Sequence, residues 1–187
     1  MIHNLKLPLV FDVDLMQQDL KQLESELWID HFVKQNYEGH WSVIPLRSSA
    51  TAEHPVMMIY SDPTCTEYID TPFLEKLSYF SKILKSFQCP LKAVRLMKLS
   101  AGSTIKEHSD LDLDIDSGTI RLHIPVQTNL GVNFLLNGTK ILLKEGECWY
   151  LRLSDPHSVE NRGKYDRVHL VIDAKVNKWL AELLIEQ

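Results

Sequence analysis

The sequence predicts an α+β chain in which helices come first and an antiparallel β core of the jelly-roll kind follows. Three observations carry this. Helix-spaced apolar residues dominate before Pro90, and short alternating runs dominate after it. Turn residues punctuate those later runs at close intervals, the pattern of a sandwich or barrel rather than of a parallel sheet. At 187 residues one domain is expected. It divides into a helix-rich N-terminal part over 1–90, a jelly-roll core over 91–175 and a C-terminal helix over 176–187, with the N-terminal helices packed outside the core.

Residues 13–36 read as a helix, because Leu15, Leu20, Leu23, Leu27 and Phe32 fall near helical spacing with Gln, Lys and Glu between them. Asn36 to Gly39 ends it. Trp41 to Leu46 and Val56 to Tyr60 read as strands. Thr71-Pro72 reads as an N-cap with proline in the first helical position, opening a helix through Phe73, Leu77, Phe80 and Leu84 to about Phe87. Strands are then expected at Ala93–Leu99, Thr119–Val126, Val132–Leu136, Lys140–Leu143, Cys148–Leu151 and Val168–Ile172. Ala101-Gly102-Ser103, Asn137-Gly138, Glu145-Gly146 and Arg162-Gly163 mark turns between them. Asn137-Gly138 is the strongest, since a two-residue hairpin turn needs positive φ at both positions. A helix from Val176 to Leu184 closes the chain.

A formal net charge of −5 with no Lys/Arg-rich run argues against a nucleic-acid partner. No apolar stretch approaches the length of a membrane span. Leu5 to Phe11 is apolar but short, is closed by Asp12 and Asp14, and has no small-residue cleavage site, so no signal peptide is expected. Cys65, Cys89 and Cys148 are far apart, odd in number and form no CxxC pair. They read as buried thiols of a reducing cytoplasm, not as a disulfide framework or a zinc site. The oligomeric state stays open.

The chemistry lies in the second half. In Arg121-Leu122-His123-Ile124 and again in Arg167-Val168-His169-Leu170, polar residues share one face of a strand and apolar residues the other. Such a face points at solvent or into a polar cavity, which the inside of a jelly roll supplies. His108-Ser109-Asp110 places two ligating side chains on one side of an extended segment. His157, behind the stiff Asp155-Pro156 turn, is the best third ligand. Two imidazoles and a carboxylate are the donor set of a non-haem Fe(II) site with open positions, although Mn(II) or Zn(II) accept the same donors. Asp110, Asp112, Asp114 and Asp116 alternate like a calcium loop, but an EF-hand counted from Asp112 would need Gly where Ser117 stands and Glu where His123 stands. Asp112, Asp114 and Asp116 therefore read as the solvated face of a strand or lid.

Arg167 points to the co-substrate. 2-Oxoglutarate carries one carboxylate that can chelate iron with the keto oxygen, and a distal one that needs a cation in a semi-buried pocket. Arginine suits it, being always protonated and forked to match a carboxylate. The reading is an Fe(II)- and 2-oxoglutarate-dependent dioxygenase that hydroxylates a C–H bond and releases succinate and carbon dioxide. Two rivals stay open: a cupin-like metal-binding or sensor module without turnover, and a metal-dependent oxygenase or isomerase that does not use 2-oxoglutarate.

Arg95-Leu96-Met97-Lys98-Leu99, Gly102-Ser103-Thr104-Ile105, His108-Ser109-Asp110, Arg121-Leu122-His123-Ile124-Pro125, Gly146-Glu147-Cys148-Trp149-Tyr150, His157-Ser158-Val159-Glu160-Asn161 and Arg167 through Asp173 occur in that order. Together, over residues 93–173, they resemble the aspartyl/asparaginyl β-hydroxylase family, which includes bacterial amino-acid hydroxylases such as the proline cis-hydroxylases. Trp41 to Ser48 resembles small bacterial members more loosely. The resemblance implies a double-stranded β-helix with iron on His108, Asp110 and His157, and Arg167 on the distal carboxylate of 2-oxoglutarate. It implies that His123 helps hold the iron-proximal carboxylate and that Arg121 lies near substrate. Animal members lack the carboxylate ligand that Asp110 supplies here, so their substrate class is not carried over, and a free amino acid or small peptide is expected. Arg121, with Arg47 as a weaker second, is expected to hold a substrate carboxylate, because a cation on that interior face is costly without an anion.

Overall fold

The computed structural model describes residues 1–23, 27–60 and 64–185. Its elements run β1 (Asn4–Val10), α1 (Val13–Lys21), β2 (Ile29–Asp30), β3 (Tyr37–Glu38), β4 (Trp41–Ser49), α2 (Pro55–Met58), β5 (Tyr68–Asp70), α3 (Ser78–Ser86), β6 (Leu91–Leu99), β7 (Thr104–His108), β8 (Thr119–Gln127), β9 (Val132–Leu136), β10 (Thr139–Ile141), β11 (Glu147–Leu151), β12 (His157–Asn161), β13 (Arg167–Lys175) and α4 (Lys178–Ile185). The major sheet has the order β1-β11-β8-β13-β6-β4-β2, with β5 also on β4, and the minor sheet has the order β10-β9-β12-β7-β3. This is a double-stranded β-helix.

The period of two along the central strands builds two cores. Ile44, Leu46, Leu96, Leu122, Ile124, Leu170 and Ile172 point outward and pack with Met16 of α1, Phe80 and Leu84 of α3 and Leu180 of α4. Val43, Met97, Leu99 and Val171 point inward and meet Ile105, Phe134, Leu136 and Val159 of the minor sheet. The helices thus cover the outer face of the major sheet, and the space between the sheets is left for the polar residues that alternate with the apolar ones. Each fully buried leucine or phenylalanine contributes about 1.5–3 kcal/mol.

The six strands expected after Pro90 lie within a few residues of their places, whereas β7 and β12, which carry His108 and His157, are strands that the spacing does not predict. Asn137-Gly138 turns with φ 51° and 71°, both positive as a tight hairpin requires. The first half differs more. The helix expected over 13–36 stops at Lys21. Residues 24–26 lie outside the described residues, and Ile29–Asp30 is a strand on β4. Leu20 lies in α1, and Leu23 and Leu27 beyond it also pack against the outer core, so burial past the helix end continues the spacing. Val56 to Tyr60 is not a strand, because Pro55 stands at the start of a helical turn and the His54 ring accepts from the Val56 N–H. Thr71 does not cap a helix. Its hydroxyl donates to Pro45 O and its N–H to Leu46 O, tying it to β4. α3 begins seven residues later, and Asp19 of α1 caps it from outside by accepting from the N–H groups of Tyr79 and Phe80 at 2.8 and 2.9 Å. Leu5 to Phe11, read only as a short apolar segment, forms most of β1, which pairs antiparallel with β11. Asp114 is buried, not solvated, and its carboxylate pairs with Arg152. Cys148 is buried, while Cys65 and Cys89 are partly exposed, and all three are free thiols. No helix among the described residues is long and apolar enough to cross a membrane.

Three neighbouring strands of the major sheet carry a row of buried charge. Asp173 of β13 faces Arg121 of β8 across the ladder and receives its Nε and Nη2 at 2.6 and 3.0 Å. Arg95 of β6 donates Nη1 to the same carboxylate at 3.0 Å and Nε to Ile59 O. Burial alone would raise the Asp173 pKa, but the two guanidinium groups more than offset it and hold the carboxyl well below the usual range.

Two substitutions test these supports. Gly146 has φ 80°, and a Cβ there would sit 2.6 Å from Phe11 O at the corner joining β1 to β11. Gly146→Ala is expected to lower the unfolding free energy by about 1–2 kcal/mol from the left-handed backbone alone. An unchanged urea midpoint would show that this corner does not anchor β1. Asp173→Asn leaves two buried guanidinium groups undercompensated and is expected to cost about 3–5 kcal/mol. A loss below about 1 kcal/mol in the same measurement would mean that Arg95 and Arg121 find other partners.

Candidate metal centre and co-substrate pocket

His108 closes β7 and His157 opens β12, and the two are register partners in the minor sheet. Their rings are 4.3 Å apart. His108 Nδ1 is 2.7 Å from Lys106 O, and His157 Nδ1 is 3.0 Å from Asp155 O. With the Nδ1–H donated to a carbonyl, each ring keeps its lone pair on Nε2, the arrangement that holds a metal-ligating imidazole in one tautomer. Burial lowers the His157 pKa, more than the Asp155 carbonyl raises it, and so favours the neutral form. Asp110 follows β7 in a loop pinned by its own N–H to Leu153 O at 2.8 Å. Its Oδ1 lies 3.8 Å from His108 Nε2, and its Oδ2 accepts from Arg121 Nη1 at 2.6 Å. One carboxylate oxygen is thus free for a metal while the other is held. The ligand atoms of His108, Asp110 and His157 lie within 4.8 Å of one another, and no other such cluster of three occurs among the described residues. Asp112, Asp114 and Asp116 form none.

The triad opens on a cavity of about 820 Å³ between the two sheets, and Arg121, His123 and Arg167 also line it. Its size suits a small co-substrate and a small substrate together. Arg167, at the start of β13, is 2% exposed. Its Nη2 donates to His169 Nδ1 at 2.8 Å, and its Nε has no partner. No carboxylate pairs with it among the described residues, and burial pushes its pKa down to about 9. A buried cation without an anion is costly, and the protein supplies no counter-ion for this one among the described residues. His123 Nε2 is also buried without a partner. Burial first, then Arg167 and Arg121, keeps that ring neutral.

The structure changes the surroundings expected for two arginines. Arg121 lines the cavity, but Asp173 and Asp110 already satisfy its guanidinium, so it needs no substrate carboxylate to offset its burial. Burial would lower its pKa, and the two carboxylates outweigh that and hold it above the usual range. Arg47 does not line the cavity. It lies at an irregularity in the β4–β6 register, paired with Asp70 and donating to Tyr68 O and Leu91 O.

Sequence reading gave no role to Asp173, Arg95 or His169. Extending the alternation of β13 from Arg167 and His169 through Val171 would have found Asp173 on the same face. It also missed an aromatic part of the lining, where His31 and Trp41, the latter on β4 of the major sheet, stack with centroids 3.6 Å apart and planes at 5°. Burial pushes the His31 pKa down to about 4, so this wall is uncharged. Phe32 packs on His31 and Tyr60 on Phe32, and both line the same cavity.

Comparison with known proteins agrees with this architecture. L-Proline cis-4-hydroxylase of Rhizobium meliloti (strain 1021) is 28% identical over 170 residues, covering 87% of this chain and 57% of that protein. The chain therefore spans a little over half the length of that relative. An oxidoreductase of the 2OG-Fe(II) oxygenase family from Burkholderia pseudomallei superposes with a TM-score of 0.55 at 14% identity, over 92% of this chain and 85% of that one. HygX from Streptomyces hygroscopicus, with nickel and 2-oxoglutarate bound, gives 0.54 at 11% identity over 94% and 84%. These two likenesses establish the fold. A family model described as aspartyl/asparaginyl beta-hydroxylase matches residues 11–176, and on that match the chain belongs to the aspartyl/asparaginyl β-hydroxylase family.

Proposed function

We propose that this chain is an Fe(II)- and 2-oxoglutarate-dependent dioxygenase that hydroxylates a C–H bond of a free amino acid or small peptide. Substrate, oxygen and 2-oxoglutarate give hydroxylated substrate, succinate and carbon dioxide. One observation carries the reading. Arg167 is a buried guanidinium without an anion in the same cavity as a two-histidine, one-carboxylate cluster. Bound Fe(II) with oxygen and 2-oxoglutarate supplies the oxidising power; the residues hold, orient and exclude water.

His108, His157 and Asp110 hold the iron. Arg121 keeps the second oxygen of Asp110 occupied, so the carboxylate offers the metal one oxygen. Arg167 takes the distal carboxylate of 2-oxoglutarate, and His123 borders its iron-proximal end. The His31–Trp41 wall supplies a flat apolar surface for an aliphatic side chain, in keeping with the L-proline after which the Rhizobium relative is named. The three free thiols fit a reducing cytoplasm, and the chain reads as one jelly-roll unit from end to end.

The direct test supplies iron, ascorbate and 2-oxoglutarate in air, and measures succinate while amino acids and short peptides are screened for a gain of one oxygen. Asp110→Ala and His157→Ala are expected to abolish turnover and to lower bound iron together, since each removes one of three protein ligands. Near-wild-type activity in either takes that residue out of the triad. Arg167→Leu is expected to raise the KM for 2-oxoglutarate by about thirtyfold or more, the effect of leaving a buried carboxylate without its charged partner. Arg167→Lys should recover part of it, keeping the charge without the fork. An unchanged KM in the leucine variant would assign the co-substrate to another cation.

A further inference from the structure

His169 belongs neither to the iron triad nor to the carboxylate contacts proposed above, and it stands behind two residues that line the cavity, touching both Arg167 and His123. It is 1% exposed on the same face of β13 as Arg167. Arg167 Nη2 lies 2.8 Å from His169 Nδ1, and His123 Nδ1 lies 3.3 Å from that same nitrogen. A guanidinium can only donate, so His169 Nδ1 carries a lone pair and the ring's proton is on Nε2. The contact with His123 is then a hydrogen bond only if His123 donates its own Nδ1–H. One lone pair thus collects two donors, from β13 and from the neighbouring β8.

We infer that His169 is the positioning residue of the co-substrate site: its Nδ1 holds the Arg167 guanidinium where the distal carboxylate of 2-oxoglutarate meets it, and fixes His123 as the Nδ1–H tautomer. The inference rests on the co-substrate reading of Arg167. A buried arginine without an anion would otherwise swing among rotamers or draw water in after it. An uncharged acceptor on the adjacent inward position fixes the fork without neutralising it, which an Asp or Glu would do. The carboxylate-binding charge is therefore kept and its direction is set in advance. A second consequence follows for His123. Its Nε2 presents a lone pair to the cavity, so the ring borders the iron-proximal carboxylate without donating a hydrogen bond to it.

The test is calorimetric titration of the Mn(II)-loaded protein with 2-oxoglutarate and, separately, with 2-oxopentanoate, which has a methyl group in place of the distal carboxylate. His169→Leu is expected to weaken 2-oxoglutarate by about tenfold or more and to leave 2-oxopentanoate within about threefold. His169→Asn, whose amide oxygen can stand near the Nδ1 position, should restore most of the affinity. The Arg167→Leu/His169→Leu pair should bind 2-oxoglutarate no more weakly than Arg167→Leu alone. Wild-type affinity in His169→Leu, or equal losses for both oxoacids, overturns the inference and leaves the co-substrate reading standing. An Arg167→Leu variant that binds 2-oxoglutarate like the wild type overturns that reading itself. If the leucine variant does not melt cooperatively, His169→Asn against His169→Gln decides, because only asparagine places its acceptor near Nδ1, and equal affinities of the two sink the idea.

Discussion

The interior of this protein is organised by one carboxylate, that of Asp173, which two arginines share. Arg95, Asp173, Arg121 and Asp110 alternate in sign along a line that starts in the middle of the major sheet and ends at the metal loop. Each member would be expensive to bury alone, and each is satisfied by its neighbour with charge-assisted hydrogen bonds. Because the row crosses β6, β13 and β8, it depends on the register of those strands. A slip of one residue would turn Asp173 to the helix-covered face. The same row delivers Arg121 to Asp110, so the conformation of a ligand in an irregular loop is set by the most regular part of the fold.

The inner cavity contains two kinds of arginine. Arg95 and Arg121 are neutralised by the protein and act on structure. Arg167 is not, and stands with a neutral histidine in place of a carboxylate. In a buried site the difference between a structural cation and a binding cation is whether the protein supplies the counter-ion. That criterion is the ground on which the proposed function gives the co-substrate to Arg167 rather than to Arg121. The His31–Trp41 wall adds aromatic surface and no charge to the same cavity.

Much of this was legible in the sequence, and what was not has physical reasons. The β core was readable because its central strands are amphipathic with a period of two, so Arg121 and His123, like Arg167 and His169, declare a shared face. His108, Asp110 and His157 could be grouped because their donor types fit one metal chemistry, although nothing in a sequence gives the register that sets His157 opposite His108. For Arg121 the sequence shows no partner. A cation at that position does need an anion, but the anion is Asp173, fifty-two residues away in sequence and directly across the ladder. Arg47 misled because it lies in a strand whose register shifts just before it. The N-terminal helices were overextended because leucines buried under tertiary contacts imitate helical spacing, and a helix N-terminus capped by Asp19 of another helix leaves no local signal.

The bond between Arg121 and Asp110 also joins the two sheets. The imidazoles of the cluster belong to the minor sheet and the guanidinium to the major one, so the bond works as a brace across the mouth of the sandwich. The gap between the layers is thereby fixed near the cluster by a strut anchored in the centre of the larger sheet. Any widening of the sandwich at that end would have to pull Asp110 away from Arg121 or from the histidines. The separation of the sheets and the spacing of the three donor atoms are in this sense a single mechanical coordinate.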